Sequence, residues 1–115
     1  MTSQKPKIST EPLYQLIRTG NIQEFNKRRQ TGEICDLSGC DFRGLDLKEI
    51  DASGLDFQNS YFRQADLRGI DFSTANLNGA SINKAYISGC LFPKELSPQE
   101  IMLSLNHGTR MRYSV

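Results

Sequence analysis

Residues 35–94 read CDLSG CDFRG LDLKE IDASG LDFQN SYFRQ ADLRG IDFST ANLNG ASINK AYISG CLFPK, twelve consecutive blocks of five with no insertion. Most blocks carry a small or aliphatic residue, then Asp or Asn, then a large apolar residue, then two mostly polar or glycine positions. An α-helix repeats its face about every 3.6 residues and a strand about every 2.0. A period of five fits neither, so the pattern predicts a repeat solenoid in which the chain turns once per block.

The blocks resemble those of the pentapeptide-repeat family, whose pattern is A(D/N)Lxx. The resemblance implies an all-β solenoid, a right-handed quadrilateral β-helix in which four blocks close one coil of about twenty residues. Twelve blocks then make three coils, stacked at the strand spacing of about 4.8 Å with their backbone groups paired. The periodicity alone predicts a solenoid, but neither its handedness nor its square section.

Stacking at twenty-residue intervals predicts which side chains meet inside the solenoid. The central residues of the blocks are expected to form four inward columns: Leu37, Phe57 and Leu77; Phe42, Phe62 and Ile82; Leu47, Leu67 and Ile87; Ala52, Phe72 and Phe92. The three cysteines, Cys35, Cys40 and Cys90, occupy the small inward position of their blocks, where a thiol acts as a compact apolar group.

The whole chain, 1–115, is expected to be a single domain, with residues 1–34 forming a disordered start and a helical N-terminal cap. Leu13, Leu16 and Ile17 recur at helical spacing, and Gly20 is a typical stop. Asn21, followed three residues later by Glu24, resembles a capping box and predicts the start of a second helix. The part of residues 1–34 that follows the disordered start is therefore expected to form a helical hairpin over the first coil.

Residues 95–115 are expected to form a C-terminal helix and a tail. Ser97, Pro98 and Glu100 are typical of a helix start and Gly108 of a helix stop, which predicts a helix from about Pro98 to His107. Apolar residues on more than one face of this helix, together with the family resemblance, predict a possible homodimer contact. The last residues, TRMRYSV, are compatible with a frayed tail.

Composition excludes several classes of function. The net charge is +1, which does not favour direct binding of nucleic acid. No apolar run approaches the roughly 18 residues of a membrane span, and the polar N-terminus has no signal-peptide pattern, so a cytoplasmic protein is expected. Three cysteines are an odd number and fit reduced thiols better than disulfides.

The sequence predicts neither an enzyme nor a cofactor or metal site. His107, the single histidine, has no evident nucleophile to serve, and no fourth cysteine completes a zinc site. The recurring Ser, Asp and Cys residues follow the repeat and therefore have a structural explanation: short polar side chains bind local backbone at turns.

The outer surface then offers two candidate faces for an unidentified protein partner. The first is a patch in which tyrosines replace the usual acid beside arginines, and it favours a small, rigid protein-protein interaction module; its residues are Arg43, Arg63, Tyr61, Tyr86 and Arg68. The alternative is an acidic face, formed by Asp36, Asp56, Asp51 and Asp71. It suits a DNA mimic that regulates or protects a type II topoisomerase such as gyrase, as some relatives in the family do.

Overall fold

The computed structural model describes residues 5–114 of the chain. It contains three α-helices: α1 spans Pro12–Arg18, α2 spans Ile22–Gln30 and α3 spans Pro98–His107. The pentapeptide blocks lie between α2 and α3. No helix within residues 5–114 is long and apolar enough to cross a membrane.

Parallel backbone bridges join residues of the repeat that are twenty apart. They link Asp41 to Tyr61 and Tyr61 to Ser81, Asp46 to Asp66 and Asp66 to Tyr86, Asp56 to Asn76, and Asp71 to Leu91. The chain therefore returns to the same side of the solenoid after four blocks. We name the four sides after one residue each: the Asp56 side (35–39, 55–59, 75–79), the Tyr61 side (40–44, 60–64, 80–84), the Asp66 side (45–49, 65–69, 85–89) and the Asp71 side (50–54, 70–74, 90–94).

The bridges are single residues, and the described part of the chain forms no extended strand. This differs from an all-β solenoid in the strict sense. The five-residue period explains this. Because every block ends in a turn, only one residue of each block forms a bridge with the coil above or below before the chain bends again. Backbone hydrogen bonds between coils are regular all the same, with Phe42 N–H donating to the Tyr61 carbonyl and Phe62 N–H to the Ser81 carbonyl, both at 2.8 Å.

The interior is filled by the predicted inward columns. Ten of the twelve central side chains are at most 2% exposed; Ile87 and Phe92, both in the last coil, are half-buried. The phenyl rings of Phe42 and Phe62 stack with centroids 5.1 Å apart, and Phe57 meets Phe62 edge-on at 5.4 Å. Aromatic contacts of this kind add to the stabilisation from apolar burial.

The acids at the second block position bind their own turns. Each accepts a hydrogen bond from the backbone N–H two residues later, which is the pattern of an Asx-turn. The acceptors are Asp36, Asp41, Asp46, Asp51, Asp56, Asp66 and Asp71, and Asn76 does the same. These contacts agree with the structural role that the sequence predicts for them.

Both N-terminal helices contact the first coil. In α1 the Tyr14 hydroxyl donates to the Asp41 carbonyl at 2.7 Å, and the Tyr14 ring lies 5.6 Å from that of Phe42. In α2 the Asn26 amide donates to the Glu49 carbonyl and accepts from Asp51 N–H, both at 2.9 Å. These side chains supply partners to backbone groups of the first coil, and an Arg18 Nη also donates to the Asp41 carbonyl, at 3.4 Å.

One detail of the N-terminal prediction is wrong. Asn21 is the N-cap residue of α2, but its side chain makes no capping hydrogen bond and donates to the Thr19 hydroxyl instead. Lys7 bridges Cys40 and continues the Tyr61 side upstream of the first coil. The expected disordered start includes residues 1–4, which lie outside the described part of the chain.

The C-terminal helix α3 begins at the predicted cap. The Ser97 hydroxyl accepts from Glu100 N–H at 3.2 Å, and Gly108 ends the helix at a φ of 76°. The second half of the capping box is missing, since the Glu100 carboxylate pairs with Arg112. The buried Ser104 hydroxyl accepts from Ile82 N–H at 2.9 Å, so α3 covers the last coil on the Tyr61 side.

The residues after α3 are packed against the solenoid, which corrects the expectation of a frayed tail. Met111 is fully buried and exchanges backbone hydrogen bonds with Gly79 and Ala80. The Tyr113 hydroxyl accepts from Leu77 N–H at 2.9 Å. The tail therefore supplies a partial fourth layer over the third coil.

Candidate functional site

A groove runs along the Tyr61 side, with a volume of about 410 Å³. All three coils and the segment after α3 line it. The residues that face it are Pro6, Arg43, Tyr61, Arg63, Ser81, Asn83, His107, Gly108 and Arg110. We call it the Tyr61 groove, since Tyr61 belongs to the middle coil and contacts the tail. Three of the five residues of the predicted patch, Arg43, Tyr61 and Arg63, are brought together here.

The C-terminal tail contacts the Tyr61 side chain through Arg110. The Arg110 guanidinium carbon lies 5.1 Å from the centre of the Tyr61 ring, and an Arg110 Nη donates to the Tyr61 hydroxyl at 2.5 Å. Arg110 also donates to the Gly79 carbonyl at 3.1 Å. A cation over an aromatic face and a hydrogen bond to the same ring's hydroxyl both restrict the tyrosine. The tail thus sets the shape of the groove.

Arg43 forms one wall and is itself paired. Its Nε and one Nη donate to the two carboxylate oxygens of Asp41, each at 2.9 Å. The Asp41 side chain is only 8% exposed. The hydrogen bonds from Arg43 hold the pKa of Asp41 below its usual value, and the same contacts raise the pKa of Arg43. Such a bidentate pair fixes the guanidinium in one orientation.

Arg63, one coil further along, is the only arginine of residues 35–94 without such a pairing. It is exposed, and its side chain makes no hydrogen bond or ion pair with another residue in the range 5–114. Its donors therefore meet no carboxylate within residues 5–114, although the side chain lines the same groove as Arg43 and Tyr61. An arginine fork offers planar, paired donors that match a carboxylate.

The other two residues of the predicted patch lie on the neighbouring Asp66 side. Arg68 stacks over the Tyr86 ring at 5.8 Å and is bound by both oxygens of Asp66, at 2.9 and 2.7 Å. Lys48 pairs with the same carboxylate at 3.5 Å. Neither Tyr86 nor Arg68 lines the Tyr61 groove. The structure therefore divides the predicted patch between two sides of the solenoid.

The alternative acidic face also extends over two sides. Asp36 and Asp56 lie on the Asp56 side, and Asp51 and Asp71 on the Asp71 side; all four are exposed. Hydrogen bonds from Ser38, Ser53 and Ser73 lower the pKa values of Asp36, Asp51 and Asp71, so these carboxylates stay ionised. One oxygen of each is occupied by its own turn.

The cysteines and the histidine form no evident nucleophilic or metal-binding site within residues 5–114. Burial raises the pKa of Cys40 to about 11 and also raises those of Cys35 and Cys90, which makes all three poor nucleophiles. Within residues 5–114 no group of three or more His, Cys, Asp and Glu residues is placed to hold a metal ion. His107 lines the Tyr61 groove at the end of α3.

The sequence pattern did not identify Arg110, Asn83 and His107 as site residues, although all three line the Tyr61 groove. The tail carries basic residues and a tyrosine, but nothing in its spacing shows that it folds back along the Tyr61 side. Asn83 donates to the Leu105 carbonyl at 3.3 Å, so its position depends on α3. These three residues enter the site through contacts that are distant in sequence.

Comparison with known proteins agrees with the repeat pattern. A search of curated proteins gave no match, and neither did a search of solved structures. A family model described as pentapeptide repeats matches in eight copies over residues 35–73 and 56–92, which together span about half of the chain. Because the matched segment is the one whose bridges recur every twenty residues, the chain belongs to the pentapeptide-repeat family.

Proposed function

We propose that this protein is a non-enzymatic, rigid protein-protein interaction module, and that its partner binds at the Tyr61 groove. The observation that carries the proposal is the assembly of Tyr61, Arg43 and Arg63 with Arg110 in one groove. Tyrosine and arginine are the residue types that contribute most at protein interfaces. The contacts that orient Tyr61, Arg43 and Arg110 lower the entropic cost of binding.

The proposal includes the architecture that the family resemblance implies, a right-handed quadrilateral β-helix of three coils. The bridges at twenty-residue spacing and the filled inward columns support it. Such a body has little freedom to rearrange, so it presents its side chains on a fixed lattice of about 4.8 Å. We place the module in the cytoplasm, where three unpaired thiols are stable.

A second depression, of about 530 Å³, lies between the α1–α2 turn and the first coil. Gly20, Ile22 and Gln23 line it on one side and Asp46, Lys48 and Glu49 on the other. It contains no aromatic residue, and its charges are mixed. The residue types favoured at interfaces are thus concentrated in the Tyr61 groove, although that groove is smaller.

DNA mimicry at a type II topoisomerase remains the alternative function. It would use Asp36, Asp56, Asp51 and Asp71, which are exposed. Three coils extend only about 10 Å, however, equivalent to about three base pairs of DNA. The acids of that face are also engaged with their own turns. The interaction module is therefore better supported.

We also propose a homodimer formed through the C-terminal end. Met102 and Leu103 on α3 are 48% and 41% exposed, and Leu91 in the last block is 58% exposed. The last coil also has open backbone donors: Leu67 and Gly69 donate to the next coil, but their counterparts Ile87 and Gly89 donate to no group within residues 5–114. An apolar end with unpaired backbone donors favours contact with a second copy.

Affinity capture from host lysate tests the interaction module. Wild type is compared with Tyr61→Ser/Arg63→Glu in the groove and with Tyr86→Ser/Arg68→Glu on the Asp66 side, after circular dichroism has confirmed folding. A protein lost by the groove variant and kept by the other supports the proposal. Equal capture by all three proteins contradicts it, and equal capture of topoisomerase subunits in particular favours the acidic face.

Sedimentation equilibrium tests the dimer. We expect wild type to dimerise with increasing concentration and Leu103→Glu to remain monomeric. Lys27→Glu, which changes an exposed lysine on α2 over the first coil, at the other end of the solenoid, is the control and should dimerise as wild type does. A monomeric wild type at all concentrations would refute this contact.

A further inference from the structure

The four sides of the solenoid differ in charge. The Tyr61 side carries Arg43, Arg63 and Lys84 against one acid, Asp41. Each of the other sides carries more acids than bases: Asp36 and Asp56 without a base, Asp51 and Asp71 with Lys94, and Asp46, Glu49 and Asp66 with Lys48 and Arg68. A small net charge for the whole chain therefore conceals one basic side among three acidic ones.

The tail increases this polarity. Arg110 folds onto the Tyr61 side, and the described residues that line the Tyr61 groove include three arginines and no carboxylate. The one acid of this side, Asp41, is already bound in a bidentate pair with Arg43. The positive charges of Arg63 and Arg110 in the groove are thus not neutralised by any carboxylate within residues 5–114, and an anionic group that entered would be attracted from several directions.

Arg63 supplies the open donors. Its side chain is exposed, lines the groove and is bound to no other described residue, whereas the Arg43 and Arg68 guanidinium groups are each held by both oxygens of a carboxylate. Arg43 and Arg68, which hold the same block position as Arg63, each bind a carboxylate. A carboxylate is therefore also the group expected to pair with the Arg63 guanidinium.

From these observations we infer that the Tyr61 groove binds an extended acidic segment of a partner protein, with a glutamate or aspartate carboxylate on Arg63. The inference rests on the proposed function and names the chemistry of its partner. The groove crosses three coils, about 10 Å, which an extended segment covers with about three residues. Neighbouring acids would then lie against the guanidinium groups of Arg43 and Arg110.

A nucleic acid strand fits this surface less well, although phosphate is also an anion. A long polyanion would extend past the groove onto the acidic sides that flank it, where Asp36, Asp56 and Asp66 repel it. A segment with a few acidic residues meets only the basic side. Charge distribution thus selects a short acidic segment over a continuous phosphate backbone.

Fluorescence anisotropy with the labelled peptide GEDEEDEG as the probe tests this inference. We expect Arg63→Glu to weaken binding at least about tenfold, because it removes a charged hydrogen-bond donor and places a like charge against the peptide. Lys94→Glu makes the same change of charge on the Asp71 side and should bind as wild type does. Arg63→Gln, which removes the charge without reversing it, should lie between the two.

Three results would overturn the inference. The first is no binding by wild type at low salt; the second is an equal loss in Arg63→Glu and Lys94→Glu, which would mean general attraction. The third is tighter binding of single-stranded DNA of the same charge. If any of these occurs while the Tyr61→Ser/Arg63→Glu variant still loses its captured protein, the acidic segment is wrong but the interaction module stands. If capture is insensitive to the groove as well, both fail.

Discussion

The backbone N–H of Met111 donates a hydrogen bond of 2.8 Å to the carbonyl oxygen of Ala80. The Met111 carbonyl in turn accepts from Gly79 N–H at 2.7 Å, and the Met111 side chain is fully buried. Ala80 lies in the last coil, so without this contact its carbonyl oxygen would have no further coil to bind. One residue of the tail thereby closes part of the open end of the solenoid.

The first prediction follows from this contact. Met111→Ala should destabilise the fold by about 2–5 kcal/mol, because it leaves a cavity where a large apolar side chain was fully buried. Met102→Ala is the matched control; Met102 is 48% exposed, so in dilute protein its truncation should change stability by less than about 0.5 kcal/mol. Urea unfolding followed by circular dichroism measures both. Equal midpoints for the two variants would show that the tail does not contribute to the core.

The contact also shows where sequence reasoning ends. The inward columns were predictable because a strict period of five fixes which residues lie one above another, and the structure buries Leu37, Phe42 and their counterparts accordingly. The paths of Lys7 and Met111 were not predictable. Neither residue belongs to the repeat, and each finds its place through pairing with a coil edge far away in sequence.

The candidate site divides in the same way. Arg43, Tyr61 and Arg63 share one side because their positions in the repeat require it. Arg110 and His107 join them only because α3 and the tail fold back, which depends on contacts such as that between Ser104 and Ile82. Tyr86 replaces the acid in the column next to that of Tyr61, as the repeat predicts, and lies with Arg68 on the Asp66 side.

A second prediction concerns the turn at Gln64, whose φ is 60°. In most other blocks glycine holds this position, and a residue with a side chain is strained there by about 1–2 kcal/mol. Gln64→Gly should therefore raise stability by about 1 kcal/mol, measured as an upward shift of the urea midpoint. Ser88→Gly is the control: Ser88 has no positive φ, so glycine there should cost roughly 0.5–1 kcal/mol. A loss of stability in Gln64→Gly would contradict the account of the turn.

A third prediction concerns acid. The Arg43 contacts lower the pKa of Asp41 below its usual 3.8, so its ionised form stabilises the fold. A depressed pKa contributes stability that is present above the unfolded value and lost as the pH falls through the folded value, here below about pH 4. Asp41→Asn keeps an oxygen for the Arg43 N–H but removes the charge. The variant should be less stable than wild type at about pH 7 and should lose less stability between about pH 7 and about pH 3.

Asp56→Asn is the control for that experiment. Asp56 also accepts from the backbone two residues later, but it has no arginine partner, and Asn76 already holds the equivalent position one coil further. Asp56→Asn removes no ion pair within residues 5–114, so its stability at about pH 7 should stay within about 0.5 kcal/mol of that of wild type. If Asp41→Asn and Asp56→Asn behave alike in urea titrations at both pH values, the Asp41–Arg43 pair has no special role.

The last prediction uses the cysteines as reporters of the core. Burial raises the pKa of Cys40 to about 11, and its side chain is completely inaccessible, so two independent factors oppose its reaction with iodoacetamide. At about pH 8 the native protein should label Cys40 at least about a hundredfold more slowly than the protein in urea, since a pKa near 11 leaves a very small thiolate fraction. Mass spectrometry of the digested protein measures each thiol separately. Cys35, which is only half-buried, serves as the internal control and should label faster than Cys40. Labelling of Cys40 at the rate of Cys35 in the native protein would mean that the first coil opens frequently, and that α1, α2 and Lys7 do not hold it closed.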